Sequence, residues 1–197
     1  MSRRATRTRP PAAATPATRP LRLLPQEQLE QRFAQALAAG DGLSGAHCIH
    51  EQWMRGQFAQ LIERDLERLW SRAAASIPEW LPMRYVEWLP VAYEVAERLR
   101  ARCRGRSNLY LVLLDFSDRR RGPFGVYVGM SGYAPAVRFD QHKAGIRAAG
   151  SVLKRGLEVL TGPTLHLQHI ERTEAVQFEA DLAAGLADAG LLVEGGH

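Results

Sequence analysis

The chain has 197 residues, of which 46% are hydrophobic and 24% are charged, with a formal net charge of +5 and a sequence pI of about 9.7. This size and composition predict one ordinary globular domain, or a small domain joined to a helical companion. Neither a run of about 18 apolar residues nor a secretory signal is present, so we expect no membrane partner. Two distant cysteines, Cys48 and Cys103, argue against a disulfide scaffold and favour a reducing, cytoplasmic location.

The N-terminal half is predicted to be helical after a basic tail. Residues 1–25 are rich in Arg, Ala, Pro and Thr and contain no acidic residue, which is typical of a disordered tail. Residues 26–39 carry apolar side chains at helical spacing. A long amphipathic helix is predicted over 49–76, and a third helical stretch over 84–102. We therefore expect a helical region over 26–104.

The pattern changes near Gly105, where runs of strand length begin. An apolar strand over 108–115 and a second strand over 125–130 are joined by a loop with Gly and Pro, which predicts a hairpin. Later elements are a helix at 136–144, a short helix or strand within 151–160, a strand over 165–170, and a helix that begins at Thr173 and ends at Gly190. The expected class is α+β, with residues 105–197 forming a small mixed or antiparallel sheet flanked by helices.

Five side chains in this second half could together hydrolyse a phosphodiester: Tyr110, Tyr127, Arg138, His142 and Glu179. The Arg and His lie four residues apart on a predicted helix, so they share a face. A guanidinium can bind a phosphate through two hydrogen bonds, and a carboxylate can hold a hard cation. A phenol or an imidazole within hydrogen-bond reach of a water could act as a base.

These residues occur in the ordered pattern N-L-Y … V-Y-V-G-M-S … R-F-D-Q-H-K-A-G … F-E-A-D-L. From about Asn108 to the end of the chain, this pattern resembles the GIY-YIG nuclease family. The resemblance implies that Tyr110 helps to activate the water and that Tyr127 and His142 orient it. It also implies that Arg138 stabilises the phosphoryl charge and that Glu179 holds a single Mg²⁺ or Mn²⁺ ion.

The chain departs from the family pattern in three places. The first motif reads Asn-Leu-Tyr at 108–110, so its glycine is missing. The loop between the two tyrosines is longer than usual and carries three consecutive arginines at 119–121. The family's late Asn has no evident counterpart, and Glu194 and His197 are the candidates to replace it.

The predicted function is metal-dependent cleavage of DNA, with RNA open as a substrate because the phosphate chemistry is shared. The candidate contacts to the nucleic-acid backbone are basic residues: Arg119, Arg120, Arg121, Lys143, Arg147, Lys154 and Arg155. The helical region would provide targeting or homodimer contacts. Two alternatives are a nucleic-acid-binding module without cleavage, which the missing glycine and Asn favour, and an interaction protein that acts through its helical half.

Overall fold

A computed structural model of the chain describes residues 19–102, 104–118 and 122–196. Within these ranges the predicted α+β class is confirmed, with eight α-helices and one four-stranded mixed sheet. The N-terminal helices are α1 (Gln26–Ala39), α2 (Gly42–Met54), α3 (Ala59–Ala73) and α4 (Leu89–Ala96). The remaining elements are β1 (Asn108–Asp115), β2 (Phe124–Ser131), α5 (Pro135–Lys143), α6 (Gly150–Arg155), β3 (Gly156–Leu160), α7 (Thr161–Thr164), α8 (Arg172–Asp188) and β4 (Val193–Gly195).

The predicted helix over 26–39 is confirmed, whereas the single long helix over 49–76 is wrong. The chain turns between α2 and α3, where Gly56 adopts a left-handed backbone with φ of 74°. The helix before this turn begins earlier than predicted, because Asp41 caps it by accepting a hydrogen bond from the backbone N–H of Ser44 at 3.0 Å. The sequence did not indicate this break, because the helical spacing of apolar residues continues across it.

The segment just before α1 is ordered, which corrects the predicted tail at its C-terminal end. Arg19 forms an ion pair with the buried Glu51 at 2.8 Å. The guanidinium of Arg55 donates hydrogen bonds to backbone carbonyls of this segment, and Leu21 is buried. Residues 19–25 therefore pack on α2, and the rest of the predicted tail, residues 1–18, lies outside the described residues.

The third helical stretch is shorter than predicted. Only α4 is helical within 84–102, and Pro90 lies in its first turn, where a missing N–H costs no hydrogen bond. Residues 99–102 and 104 that follow have no regular structure. This irregular segment leads directly into the sheet.

The sheet has the strand order β3-β1-β2-β4. The predicted hairpin of β1 and β2 is confirmed, and its register pairs Tyr110 with Gly129. Residues 151–160, predicted as helix or strand, hold both α6 and β3. The predicted strand over 165–170 is wrong, since turns follow α7 and only Ile170 forms a bridge, to Ser107. The short β4, parallel to β2, was not predicted.

Every residue of β1 except the last is buried, because helices cover both faces of the sheet. One face carries Leu109, Leu111 and Leu113, which belong to the same hydrophobic core as the N-terminal helices and α8. The other face carries Tyr110 and Val112, which pack with α6 in a smaller cluster. The helical region and the sheet thus share a core. No helix in the described ranges is long and apolar enough to cross a bilayer.

Candidate active site

Two tyrosines on neighbouring strands form the floor of the candidate site. Tyr110 of β1 is 1% exposed, and its ring centroid lies 6.1 Å from that of Tyr127 on β2. Gly129 makes this pairing feasible, because a Cβ there would lie 2.6 Å from Tyr127 Cε1 and 2.8 Å from Tyr110 Oη. The second tyrosine motif therefore needs its glycine for clearance around the first phenol.

His142 joins the two tyrosines from helix α5. Its Nε2 atom lies 2.9 Å from Tyr110 Oη, and its ring centroid lies 5.9 Å from that of Tyr127. The backbone N–H of Ala149 donates to His142 Nδ1 at 2.9 Å. Since Nδ1 accepts this bond, the proton of the neutral ring is on Nε2. We therefore assign the imidazole as the donor to the phenol oxygen, which leaves the Tyr110 proton free to point elsewhere.

Arg138 lies one turn before His142 on α5 and carries the positive charge of the site. Its guanidinium donates to the carbonyls of Ile146 and Arg147 at 3.1 and 2.7 Å, and to the side chain of Gln141 at 3.1 Å. These bonds close the loop that follows α5, the loop whose Ala149 N–H fixes the imidazole. Arg138 therefore holds the loop and adds its charge to the tyrosine cluster.

Burial and charge set the protonation of these groups. Burial raises the pKa of Tyr110 above its usual range; Tyr127 adds to the increase, while the charge of Arg138 opposes it. Burial likewise raises the pKa of Tyr127, helped by the negative charge of Glu179. Burial and the nearby Arg138 lower the pKa of His142. At neutral pH the site thus holds two protonated phenols and a neutral imidazole.

Glu179 of α8 provides the carboxylate. It is half-buried, and its negative charge raises the pKa of Tyr127. No group of three or more His, Cys, Asp or Glu side chains that could hold a metal occurs in the described ranges. A single carboxylate suits Mg²⁺, which takes oxygen ligands and keeps several waters or substrate phosphate oxygens around one or two protein ligands. The donor set thus fits an ion that substrate completes.

The basic residues predicted to contact the nucleic-acid backbone differ in the bonds that they make within the fold. Lys143 donates to the carbonyls of Leu153 and Gly156, so it caps α6. Arg155 forms a two-pronged ion pair with Asp118 at 2.7 and 2.8 Å, so a phosphate would have to compete with this carboxylate for it. Exposed basic side chains remain at Arg147 and Lys154. Arg119, Arg120, Arg121 and the candidate His197 lie outside the described residues.

Two residues at the site are positioned by features that were not predicted from the sequence. The backbone N–H of Ala149 sets the histidine tautomer, and no residue type marks such a contact. Glu194 is the register partner of Tyr127 across the unpredicted strand β4, so both side chains point to the same face of the sheet. The alternation of Val193, Glu194 and Gly195 is too short to indicate a strand by itself.

Comparisons of the chain with protein-family models, with curated proteins and with solved structures gave no match.

Proposed function

We propose that this chain is a metal-dependent endonuclease that hydrolyses DNA phosphodiesters at a GIY-YIG-type site. The observation that carries the proposal is the convergence of five residues from four elements. Tyr110, Tyr127 and His142 are in mutual ring contact, and Arg138 and Glu179 act electrostatically on them. Residues spread over 70 positions of sequence rarely meet in this way without a shared role.

Tyr110 is the proposed base toward the attacking water. Its phenol is protonated in the free protein, so that proton must first be lost to bulk solvent, and the resulting phenolate would then accept a proton from the attacking water. The Nε2–H of His142 donates to that oxygen and would stabilise the phenolate as it forms. The charge of Arg138 favours the same ionisation. His142 and Arg138 thus favour the phenolate of Tyr110, whereas burial disfavours it.

Arg138 also has the proposed role of neutralising the phosphoryl oxygens, because a guanidinium matches phosphate geometry. Glu179 would hold the divalent ion, which supplies positive charge to the phosphoryl group and the leaving oxygen when bound. Tyr127 is in ring contact with Tyr110 and feels the charge of Glu179, so it would orient the water.

DNA is the proposed substrate and the cytoplasm the proposed location, the latter because two separated cysteines suit a reducing compartment. The helical region has a structural role in this proposal, since its helix α4 packs on α7 and α8, which cover one face of β1. Homodimer formation through these helices stays a prediction from the sequence.

Nicking of supercoiled plasmid in the presence of Mg²⁺, measured for variants of Tyr110, tests this proposal. We expect the wild-type protein to nick the plasmid. The Tyr110→Phe variant should nick it about 10²- to 10⁴-fold more slowly, which is the usual contribution of a general base. Tyr85→Phe is the matched control, since Tyr85 stacks on Trp53 in the helical region with ring centroids 5.5 Å apart. Equal rates for the two variants would contradict the role of Tyr110.

A further inference from the structure

The segment between α4 and β1 carries an unusual row of arginines. Every second residue is an arginine, and we call these five residues the arginine row: Arg98, Arg100, Arg102, Arg104 and Arg106. All five side chains are exposed. In between, Leu99 and Ala101 are half-buried and pack against the main core. Arg98 still belongs to the turn that ends α4, and from 99 to 102 the alternation has the period of two that an extended chain produces when one side contacts a core.

The arginine row is free of internal partners. Across the described ranges, no hydrogen bond or ion pair of these five guanidinium groups occurs within the fold. Arg55, Arg138 and Arg155 are, by contrast, each bonded to carbonyls or carboxylates. Five neighbouring like charges repel one another, so the folded chain gains nothing electrostatically by placing them together. An external polyanion would remove that repulsion.

The row ends beside the candidate active site. Gly105 packs closely on the backbone of Ile170, and its N–H donates to the carbonyl of His169 at 2.7 Å. Arg106 and His169 then line a pocket of about 340 Å³ together with Asn108 and the start of α5. Asn108 and Tyr110 are two residues apart on β1, which places this pocket about 7 Å along the strand from the catalytic phenol.

Asn108 holds the two walls of this pocket together. Its side-chain amide donates to the carbonyl of Tyr133 at 3.0 Å, and its Oδ1 accepts from the backbone N–H of His169 at the same distance. The pocket is therefore a fixed feature between the row and the site. A chain that lies along the arginine row and continues through this pocket reaches the start of α5, the helix that carries Arg138 and His142.

We propose that the arginine row binds the phosphodiester backbone of a nucleic-acid strand and leads it through the Arg106–His169 pocket to the active site. Alternate residues of an extended chain are about 7 Å apart, which is comparable to the spacing of successive phosphates along a strand. This inference rests on the proposed function only for the identity of the polyanion, since the row and the pocket are features of the fold alone.

Equilibrium binding in EDTA separates this proposal from cleavage. The probe is a fluorescein-labelled single-stranded DNA of about 20 nucleotides, followed by anisotropy as the salt concentration rises. The test variant is Arg100→Gln with Arg102→Gln. The matched control is Arg32→Gln with Arg72→Gln, which removes the same charge from exposed arginines of α1 and α3.

Loss of two phosphate contacts should reduce the slope of log K against log salt by about 1.4, since each contact to a single strand contributes about 0.7. Near 0.1 M salt this corresponds to roughly a 25-fold loss of affinity for the test variant. The control should stay within about twofold of wild type. Equal losses in both variants, or none in either, would overturn the arginine row as the binding surface.

Two further measurements keep the two proposals apart. Row-dependent binding without Mg²⁺-dependent cleavage would support the row and count against the nuclease. Cleavage that both variants perform as well as wild type would support the nuclease and overturn the row. Vesicles of phosphatidylserine and phosphatidylcholine test the other common polyanion, and row-dependent binding to them without binding to DNA would also overturn the proposal.

Discussion

His142 donates its Nε2–H to the phenol oxygen of Tyr110 across 2.9 Å, and a backbone amide on the other side of the ring fixes that direction. Replacing His142 by Phe should leave the Tyr110 oxygen and the Ala149 N–H without this partner. We expect a loss of about 1–3 kcal/mol in the free energy of unfolding. We also expect plasmid cleavage to fall by about 10² or more. Urea denaturation and initial nicking rates measure the two effects.

A variant with unchanged nicking would show that the imidazole only fills space. A variant with unchanged stability but no nicking would show that the hydrogen bonds at His142 are made only in the presence of substrate. Either result would contradict the assignment of a preformed donor.

Gly129 is predicted to be intolerant of any side chain. In Gly129→Ala, the new methyl group would collide with the rings of Tyr110 and Tyr127, which are packed by the sheet and by α5. We expect a destabilisation of about 1–3 kcal/mol, typical of overpacking, and a loss of cleavage. The control is Gly132→Ala in the following loop, where a Cβ would contact nothing within 4 Å. Thermal unfolding of both variants measures the difference, and similar shifts would argue against a clearance role.

The pH dependence of cleavage follows from the raised pKa of Tyr110. Because the reactive form is the phenolate, its fraction rises tenfold for each pH unit below the pKa. We expect kcat/KM to rise about tenfold per unit from pH 6.5 to at least pH 9. The pKa of His142 is lowered, so the imidazole stays neutral above pH 6.5 and does not change the slope of the pH–rate profile in this range. A profile that is flat, or that falls above pH 7, would contradict Tyr110 as the base.

The second half of the chain should not fold alone. A fragment of residues 105–197 would lack α4, whose side chains of Tyr93 and Val95 are buried against α7 and α8 in the whole chain. Burying such side chains contributes about 1.5–3 kcal/mol each, so the fragment lacks a large part of its stability. We expect it to aggregate or to lack a near-UV circular dichroism spectrum. A cooperative thermal transition of the fragment would contradict the shared core.

The sequence predicted the elements whose patterns are long and local. The apolar run of β1, the hairpin and the helix that carries Glu179 follow from residues in contact with their neighbours along the chain. The break at Gly56 and the short strand β4 depend on contacts with distant elements, so their local patterns were misleading or too short. The turn over 165–170 alternates in polarity as a strand would, because Leu167 and Ile170 are buried by other parts of the fold.

For the candidate site, the sequence identified the side chains and not their partners. Tyr110, Tyr127 and His142 are in ring contact, while Arg138 and Glu179 are linked to them through their effects on the pKa values of the tyrosines. Exposed and paired basic residues look alike in a sequence, so the sequence does not reveal that Arg155 pairs with Asp118. The sequence did not indicate the arginine row, because most of it lies in a region predicted to be helical. Residues that alternate with a period of two do not share one face of a helix.

The most direct test of the nuclease proposal is cleavage of supercoiled plasmid in Mg²⁺ by Glu179→Gln beside Glu174→Gln. Both substitutions remove one carboxylate from α8, but only Glu179 acts on the tyrosine cluster. We predict that wild type and Glu174→Gln nick the plasmid, and that Glu179→Gln and wild type in EDTA do not. Cleavage that survives Glu179→Gln or EDTA, or no cleavage by wild type with Mg²⁺ or Mn²⁺, would contradict a metal-dependent nuclease at this site.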